Sequence, residues 1–199
     1  MESTIEQPCP VCSSDAGLTM IARTSEIPYF GEHTQLTILC DACGWKHTDF
    51  IPAEGTKPGA CTMLIDSPGH MTARVVRSPS CTVRLVELDL EVKPGVSSTG
   101  YISNVEGVFN RFEDAISMLQ RQAMSEHEGS QAAAECAALL NEMARIKAGQ
   151  SSVELVLLDP MGHSQILHED AVSRELREEE MEVLSTGPSV PVFDAGDLA

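Results

Sequence analysis

The chain has 199 residues, enough for one sizeable domain beside a small one, and 42% of them are hydrophobic, so a core can form. Only 4% are aromatic, which makes that core an aliphatic one. A net charge of −17, from 30 acidic and 13 basic residues, repels phosphate backbones and weighs against nucleic acid, and no apolar run is long enough for a membrane-spanning helix.

Residues 1–8 read as a loose leader, without the basic start and apolar stretch of a signal peptide. The expectation is a reducing cytoplasm, where paired cysteines bind metal in preference to oxidising. An odd total of seven cysteines also argues against a disulfide framework. Cys9-Pro10-Val11-Cys12 and Cys40-Asp41-Ala42-Cys43 are two tight turns, each aiming two soft ligands at one point. Together they supply the four thiolates of a tetrahedral Zn2+ site, and Gly44 can take the positive φ that turns backbone N–H groups toward the sulfurs. Four sulfurs close the coordination shell, so the single zinc is structural. His47 reads as a surface histidine.

Between the cysteine pairs, residues 18–24 and 35–39 are β-prone, and Pro28-Tyr29-Phe30-Gly31 is the turn between them. Residues 45–51 add a third strand. This is a zinc ribbon over residues 1–54. Tyr29, Phe30 and Gly31 have two readings: the ribbon's own mini-core, or an exposed apolar tip that anchors a partner.

Residues 52–59 have the composition of a linker, and a second β region follows, with strands over 61–65, 73–77 and 81–92. In the last of these the even-numbered positions carry the apolar face. Arg74, Arg77 and Arg84 are an island of positive charge. They either pair with Glu87, Asp89 and Glu91, or leave Arg74 and Arg77 for a partner. Ser103-Asn104-Val105-Glu106 reads as a capping box with Ser103 as N-cap. Behind it Val105, Val108, Phe109, Phe112, Ile116, Leu119 and Ala123 repeat at helical spacing. Gly129-Ser130 breaks the chain, and residues 131–147 form a second helix stopped by Gly149, giving a helical hairpin over about 104–148.

Residues 152–158 return to strand, Asp159-Pro160-Met161-Gly162 is a turn, and 164–167 come back as a strand. Residues 168–184 read as a last helix and 187–199 as an acidic tail. The β region with its hairpin covers 55–186. Cys61, Cys81 and Cys136 read as core thiols. His70, His127, His163 and His168 have no metal-site spacing, and a set such as Asp66, Ser67 and His70 arises in any chain of this size. With no glycine-rich phosphate loop either, no enzymatic activity is expected.

The paired cysteines, Ile27-Pro28-Tyr29-Phe30-Gly31-Glu32 between them, Val75-Val76-Arg77-Ser78, Val86-Glu87-Leu88, Ser103-Asn104-Val105-Glu106-Gly107 and Asp159-Pro160-Met161-Gly162-His163-Ser164 together resemble the ZPR zinc-finger family. The resemblance runs from about residue 7 to 185. It implies a mainly β fold with helices: a four-cysteine zinc ribbon followed by a double-stranded β-helix, jelly-roll-like, bearing a helical hairpin. It also implies a protein-binding role, with translation elongation factor 1-alpha as partner and a chaperone or adaptor as function. Eukaryotic members carry two tandem modules, and this chain has one, as archaeal members do. The alternative is a nucleic-acid-associated ribbon of transcription or translation, against which stands the charge of −6 on residues 1–56.

Overall fold

A computed structural model describes residues 2–15, 17–27, 31–52, 57–95, 97–126 and 130–185. The first four strands, β1 (Glu2–Ile5), β2 (Leu18–Ile27), β3 (Gly31–Leu39) and β4 (Lys46–Pro52), form one antiparallel sheet in chain order. The leader is therefore structured. Glu2 pairs with Ile21 and Ile5 with Leu18, which buries Ile5 beside Leu18, Met20 and Ile38. The period-two spacing of Ile5 and Ser3 on a strand lacking turn residues permits this, but four residues are too short to read as a strand without their partner.

Eight further strands and the helical hairpin build the larger unit. β5 (Gly59–Ile65), β6 (Arg74–Arg77), β7 (Thr82–Leu85), β8 (Leu90–Val92) and β9 (Tyr101–Asn104) precede helices α1 (Val105–Glu126) and α2 (Gln131–Lys147). β10 (Val153–Asp159), β11 (Gln165–Leu167), β12 (Val172–Glu175) and the short α3 (Glu178–Val183) follow. The strands form a five-stranded sheet in the order β12-β5-β10-β7-β8 and a three-stranded sheet β11-β6-β9. All their pairings are antiparallel.

The core lies between these sheets. β5, β7 and β10 contribute Met63, Ile65, Val83, Leu85, Leu155 and Leu157, the smaller sheet contributes Val75 and Ile166, and the hairpin seals the space. α1 inserts Val105, Val108, Phe109, Phe112 and Ile116, and α2 inserts Met143 and Ile146. β10 is paired on both edges and buried along nearly its whole length, as its unbroken Val-Leu run requires. Beyond Ile116 the helices outrun the core. Leu119, expected inside, is 53% exposed, because helical spacing continues past the end of what the helix packs on.

Three expectations need correcting. Residues 81–92 are a tight hairpin instead of one strand: Val83 pairs with Val92, and a 3-10 turn over Val86–Leu88 with Asp89 at φ 51° reverses the chain. The buried face is then set by Val83 and Leu85, while Val86 is half exposed. Residues 168–184 are not one helix: they hold an exposed four-residue edge strand, β12 on β5, and then six residues of helix. At the start of α1 the cap is Asn104, whose Oδ1 accepts the Gly107 N–H at 2.8 Å, and Ser103 belongs to β9. A Cβ at Gly107 would stand 2.1 Å from Ser103 Oγ and 3.2 Å from Asn104 Oδ1, which gives the glycine after Val105-Glu106 its reason. Gly149 stops α2 as expected. It sits at φ 69°, its N–H donates to Ile146 O, and that of Gln150 donates to Arg145 O, a Schellman closure.

Candidate metal centre and its joint to the β sandwich

Each cysteine pair folds as a knuckle. In the first, Ser13 N donates to Cys9 O at 2.8 Å and Ser13 itself takes φ 54°. In the second, Gly44 N donates to Cys40 O at 2.8 Å and Gly44 takes φ 73°. Both turns thus pass through the left-handed region directly after the second cysteine. The knuckles face each other at the cysteine end of the sheet. Cys9 Sγ lies 3.8 Å from Cys43 Sγ, and Cys12 Sγ lies 3.8 Å from Cys40 Sγ. A tetrahedron with metal–sulfur bonds of about 2.3 Å has sulfur–sulfur edges of about 3.8 Å, so the four thiols fit one zinc ion. Cys9 and Cys40 are buried against Leu18, Met20 and Ile38, and Cys12 and Cys43 face outward.

The thiols do not ionise alike. Desolvation pushes Cys9 up, but the N–H groups of Cys12 and Val11 and the neighbouring thiols outweigh it and lower Cys9 to about 7. For Cys43 the Trp45 N–H acts to lower the value, yet desolvation and the three other sulfurs push it up to about 12. Four thiolates at this spacing repel one another, and a dication is the group that relieves the repulsion.

The β4 edge of the ribbon is fastened to the sandwich. Gly100 N donates to Thr48 O at 2.6 Å, Thr48 N donates to Thr99 Oγ1 at 3.1 Å, and His47 Nδ1 donates to Ser98 O at 3.1 Å. A Cβ at Gly100 would lie 3.0 Å from Thr48 O and 3.2 Å from Arg77 O, so only glycine lets the two backbones approach this closely. His47 is 1% exposed, a buried residue and not a surface one. Desolvation holds it below the ordinary histidine range, against the charge of Asp49 and the Ser98 carbonyl, and it stays neutral with Nε2 unpartnered.

Arg77 holds the same loop from the other side. It is buried, and its guanidinium donates to Ser98 Oγ, Thr99 O and Cys81 O at 2.9, 3.2 and 2.8 Å. Of the basic island, Arg84 pairs with Glu91, Arg74 is exposed on β6, and Arg77 acts through the loop it positions. Tyr29 and Phe30 lie outside the described residues. Gly31 pairs with Ile27 at the far end of the β2–β3 hairpin, eight ladder steps or about 27 Å from the Thr19–Leu39 pair next to the cysteines.

The Asp159 turn completes the joint. Asp159 is 1% exposed and accepts five hydrogen bonds, from Ser78, Ser80 and Ser164 Oγ at 2.8, 2.6 and 2.7 Å and from Met161 and His163 N at 3.0 and 2.9 Å. Ser164 Oγ also accepts the Ser78 N–H at 2.9 Å. Asp159 and Ser164 thus bond the backbone as the turn reading required, and they tie β6 to β10 besides. Cys81 beside them is fully buried and its thiol is pushed up to about 12, chiefly by desolvation and then by the Asp159 charge, which makes it an inert core group. Cys61 is likewise buried.

The family model described as the ZPR1 jelly-roll domain matches residues 69–183. The chain belongs to the ZPR1 family. It is 35% identical to a ZPR1-like protein of Methanocaldococcus jannaschii over 94% of this chain and 92% of that one. It is 32% identical to a ZPR1-like protein of Pyrococcus horikoshii over 92% and 82%. The zinc finger protein ZPR1 of Bos taurus is 29% identical over 89% of this chain but only 40% of its own length. A relative from Schizosaccharomyces pombe, 23% identical over 82% of this chain and 35% of its own, is named a zinc finger chaperone. The zinc-ribbon and jelly-roll expectations hold, and the ribbon's four cysteines are placed to bind one metal ion.

Proposed function

We propose that this protein is a non-enzymatic, cytoplasmic binding module that engages translation elongation factor 1-alpha as a folding chaperone or adaptor. The observation that carries the reading is the closed four-sulfur shell. With every coordination position taken by cysteine, the metal offers no place for water or substrate, and its work is to hold the ribbon in shape. Such a ribbon, pinned to the sandwich through β4, is a rigid presenting surface more than a reaction site. The name of the fission-yeast relative supports a chaperone role, and the charge of −17 disfavours a phosphate-backbone partner. The proposed contacts are the Tyr29-Phe30-Gly31 segment and the exposed Arg74, with Arg77 holding the loop beneath.

The test is capture of purified elongation factor 1-alpha by the zinc-loaded protein, in its GDP, GTP and nucleotide-free states. Saturable binding that a Tyr29→Ser, Phe30→Ser double variant weakens at least tenfold, with zinc content unchanged, is the expected result. No binding in any of the three states overturns the reading.

A further inference from the structure

His70 and His168 are distant in the sequence and adjacent in the fold. His70 lies in the 3-10 turn Pro68–Thr72 after β5, and His168 follows β11 in the turn toward β12. Their rings meet edge to face with centroids 5.0 Å apart. Both point at one carboxylate oxygen: His70 Nε2 is 3.4 Å and His168 Nδ1 is 3.5 Å from Asp170 Oδ2. On its other side His70 Nδ1 stands 3.3 Å from Asp66 Oδ1. The side chain of His70 is 14% exposed and that of His168 is 26% exposed, while Asp170 and Asp66 open to solvent.

We propose that His70, His168 and Asp170 form a second metal site, for a divalent transition-metal ion, with Asp66 as the positioning residue for His70. Three arguments carry it. The first is ligand convergence: one donor atom from each of the three residues lies within 4.8 Å of the others, a spread that a bound ion can draw together by small side-chain rotations. The second is orientation. Backbone and carboxylate both hold the rings: the Asp66 N–H reaches His70 Nδ1 at 3.4 Å with Asp66 Oδ1 beside it at 3.3 Å, and the Asp170 N–H reaches His168 Nδ1 at 3.2 Å. With the ion bound, His70 takes the tautomer whose Nε2 lone pair faces the metal, and its Nδ1–H turns to Asp66 Oδ1, the partner that metal-bound histidines ordinarily have. The third is charge. Asp66 and Asp170 together offset a dication, in a cluster open enough for the ion to enter.

Two imidazoles and one carboxylate select zinc, cobalt or nickel over magnesium or calcium, which want oxygen ligands. Three protein ligands leave a position for water, unlike the closed cysteine shell. The ion would clasp the turn after β5 to the turn before β12. Pro68 of that first turn packs on the end of α2, 2.8 Å from where a Gly149 Cβ would stand, so the clasp sits at the base of the helical hairpin. The site is independent of the elongation-factor reading.

The experiment starts from protein whose cysteine site is already loaded, one sulfur-bound zinc per chain by mercurial titration. Zinc is then titrated in by calorimetry, with histidine ring signals followed by NMR. The expected result is one further equivalent at micromolar affinity that shifts the rings of His70 and His168. His168→Gln and the surface change Asp170→Asn should each weaken this uptake at least tenfold, and Asp66→Asn by about tenfold. All three variants should retain the sulfur-bound zinc. Uptake that stops at the sulfur-bound ion overturns the proposal, as does a second equivalent that leaves both rings unshifted or is unchanged in Asp170→Asn.

Discussion

His163 Nδ1 stands 3.4 Å from Asp49 Oδ2, a pair that crosses from the Asp159 turn of the sandwich to β4 of the ribbon. Both side chains are largely shielded from solvent, at 11% and 15% exposed. Burial alone would lower the His163 pKa, but the hydrogen bond and charge of Asp49, with the charge of Asp159 behind, outweigh it and raise the value above the ordinary histidine range. The protonated form is therefore favoured in the folded protein. The stabilisation is fully present below the unfolded value of about 6.5 and is lost as pH rises through the raised folded value. His47 has the opposite sign, since its lowered pKa costs stability as pH falls below the ordinary value. The two effects partly cancel in the whole protein. The clean measurement is the difference in unfolding free energy between wild type and His163→Gln across pH 6 to 9. It should be largest at the acid end, about 1–3 kcal/mol, and shrink toward the alkaline end. A difference that grows with pH would show that the pair is not what holds this joint.

Asp159→Asn probes the same joint one residue layer deeper. Five donors converge on the carboxylate, and an amide presents two donors of its own to them. At least one seryl or backbone donor then loses its acceptor in a site sealed from water. The expected loss is about 3 kcal/mol or more in denaturant unfolding, with the slope against denaturant unchanged. A loss under about 1 kcal/mol would mean that the serines rearrange freely and that the Asp-Pro-x-Gly-x-Ser motif is not a keystone of the fold.

How much of this was legible in the sequence follows from the range of the interactions. Cys9, Cys12, Cys40 and Cys43 declare themselves because each pair is local and its chemistry is specific. Gly149 and the turn at Asp159 are local as well. The joint was not legible: His47, Asp49, Ser98, Gly100 and His163 are scattered, and nothing in the spacing of any one of them marks it. Arg77 reads as surface charge, paired with Glu87, Asp89 or Glu91 or left for a partner, because a buried guanidinium and an exposed one are spelled alike. The Val86–Leu88 reversal was missed because its apolar residues continue a strand pattern while Asp89 turns the chain. The meeting of His70 with His168 depends on the pairing of β11 with β6 and of β12 with β5, which only the fold supplies.

Gly149→Ala tests the seating of the helical hairpin. The residue takes φ 69°, which costs an L-residue about 1 kcal/mol, and its new Cβ would meet Pro68 Cδ at 2.8 Å. A proline ring cannot rotate away, so the 3-10 turn or the end of α2 must move. The two costs together predict a loss of about 2–4 kcal/mol in thermal or denaturant unfolding. Gly44→Ala is the control: it shares the positive φ, but nothing stands within 4 Å of its Cβ. Its loss should be confined to the backbone part. Equal losses at the two glycines would remove the steric argument.

Removal of the sulfur-bound zinc should undo the ribbon and its joint together while sparing the sandwich. The ribbon buries few apolar side chains, chiefly Ile5, Leu18, Met20 and Ile38, and two of its other buried residues are the ligands Cys9 and Cys40. Without the metal, the four thiols, paired across the knuckles at 3.8 Å, have only this small cluster to hold them, whereas structural zinc sites contribute on the order of 10 kcal/mol. The amides of β2, β3 and β4 should lose protection from hydrogen exchange on chelation. The N–H of Gly100 should follow, because its acceptor is Thr48 O. β5, β7 and β10 have their own core, centred on Leu85, Leu155 and Phe109, and should keep theirs. Protection that survives chelation in the ribbon would make the metal dispensable. Protection lost everywhere at once would make ribbon and sandwich a single cooperative unit, with the joint as strong as either core.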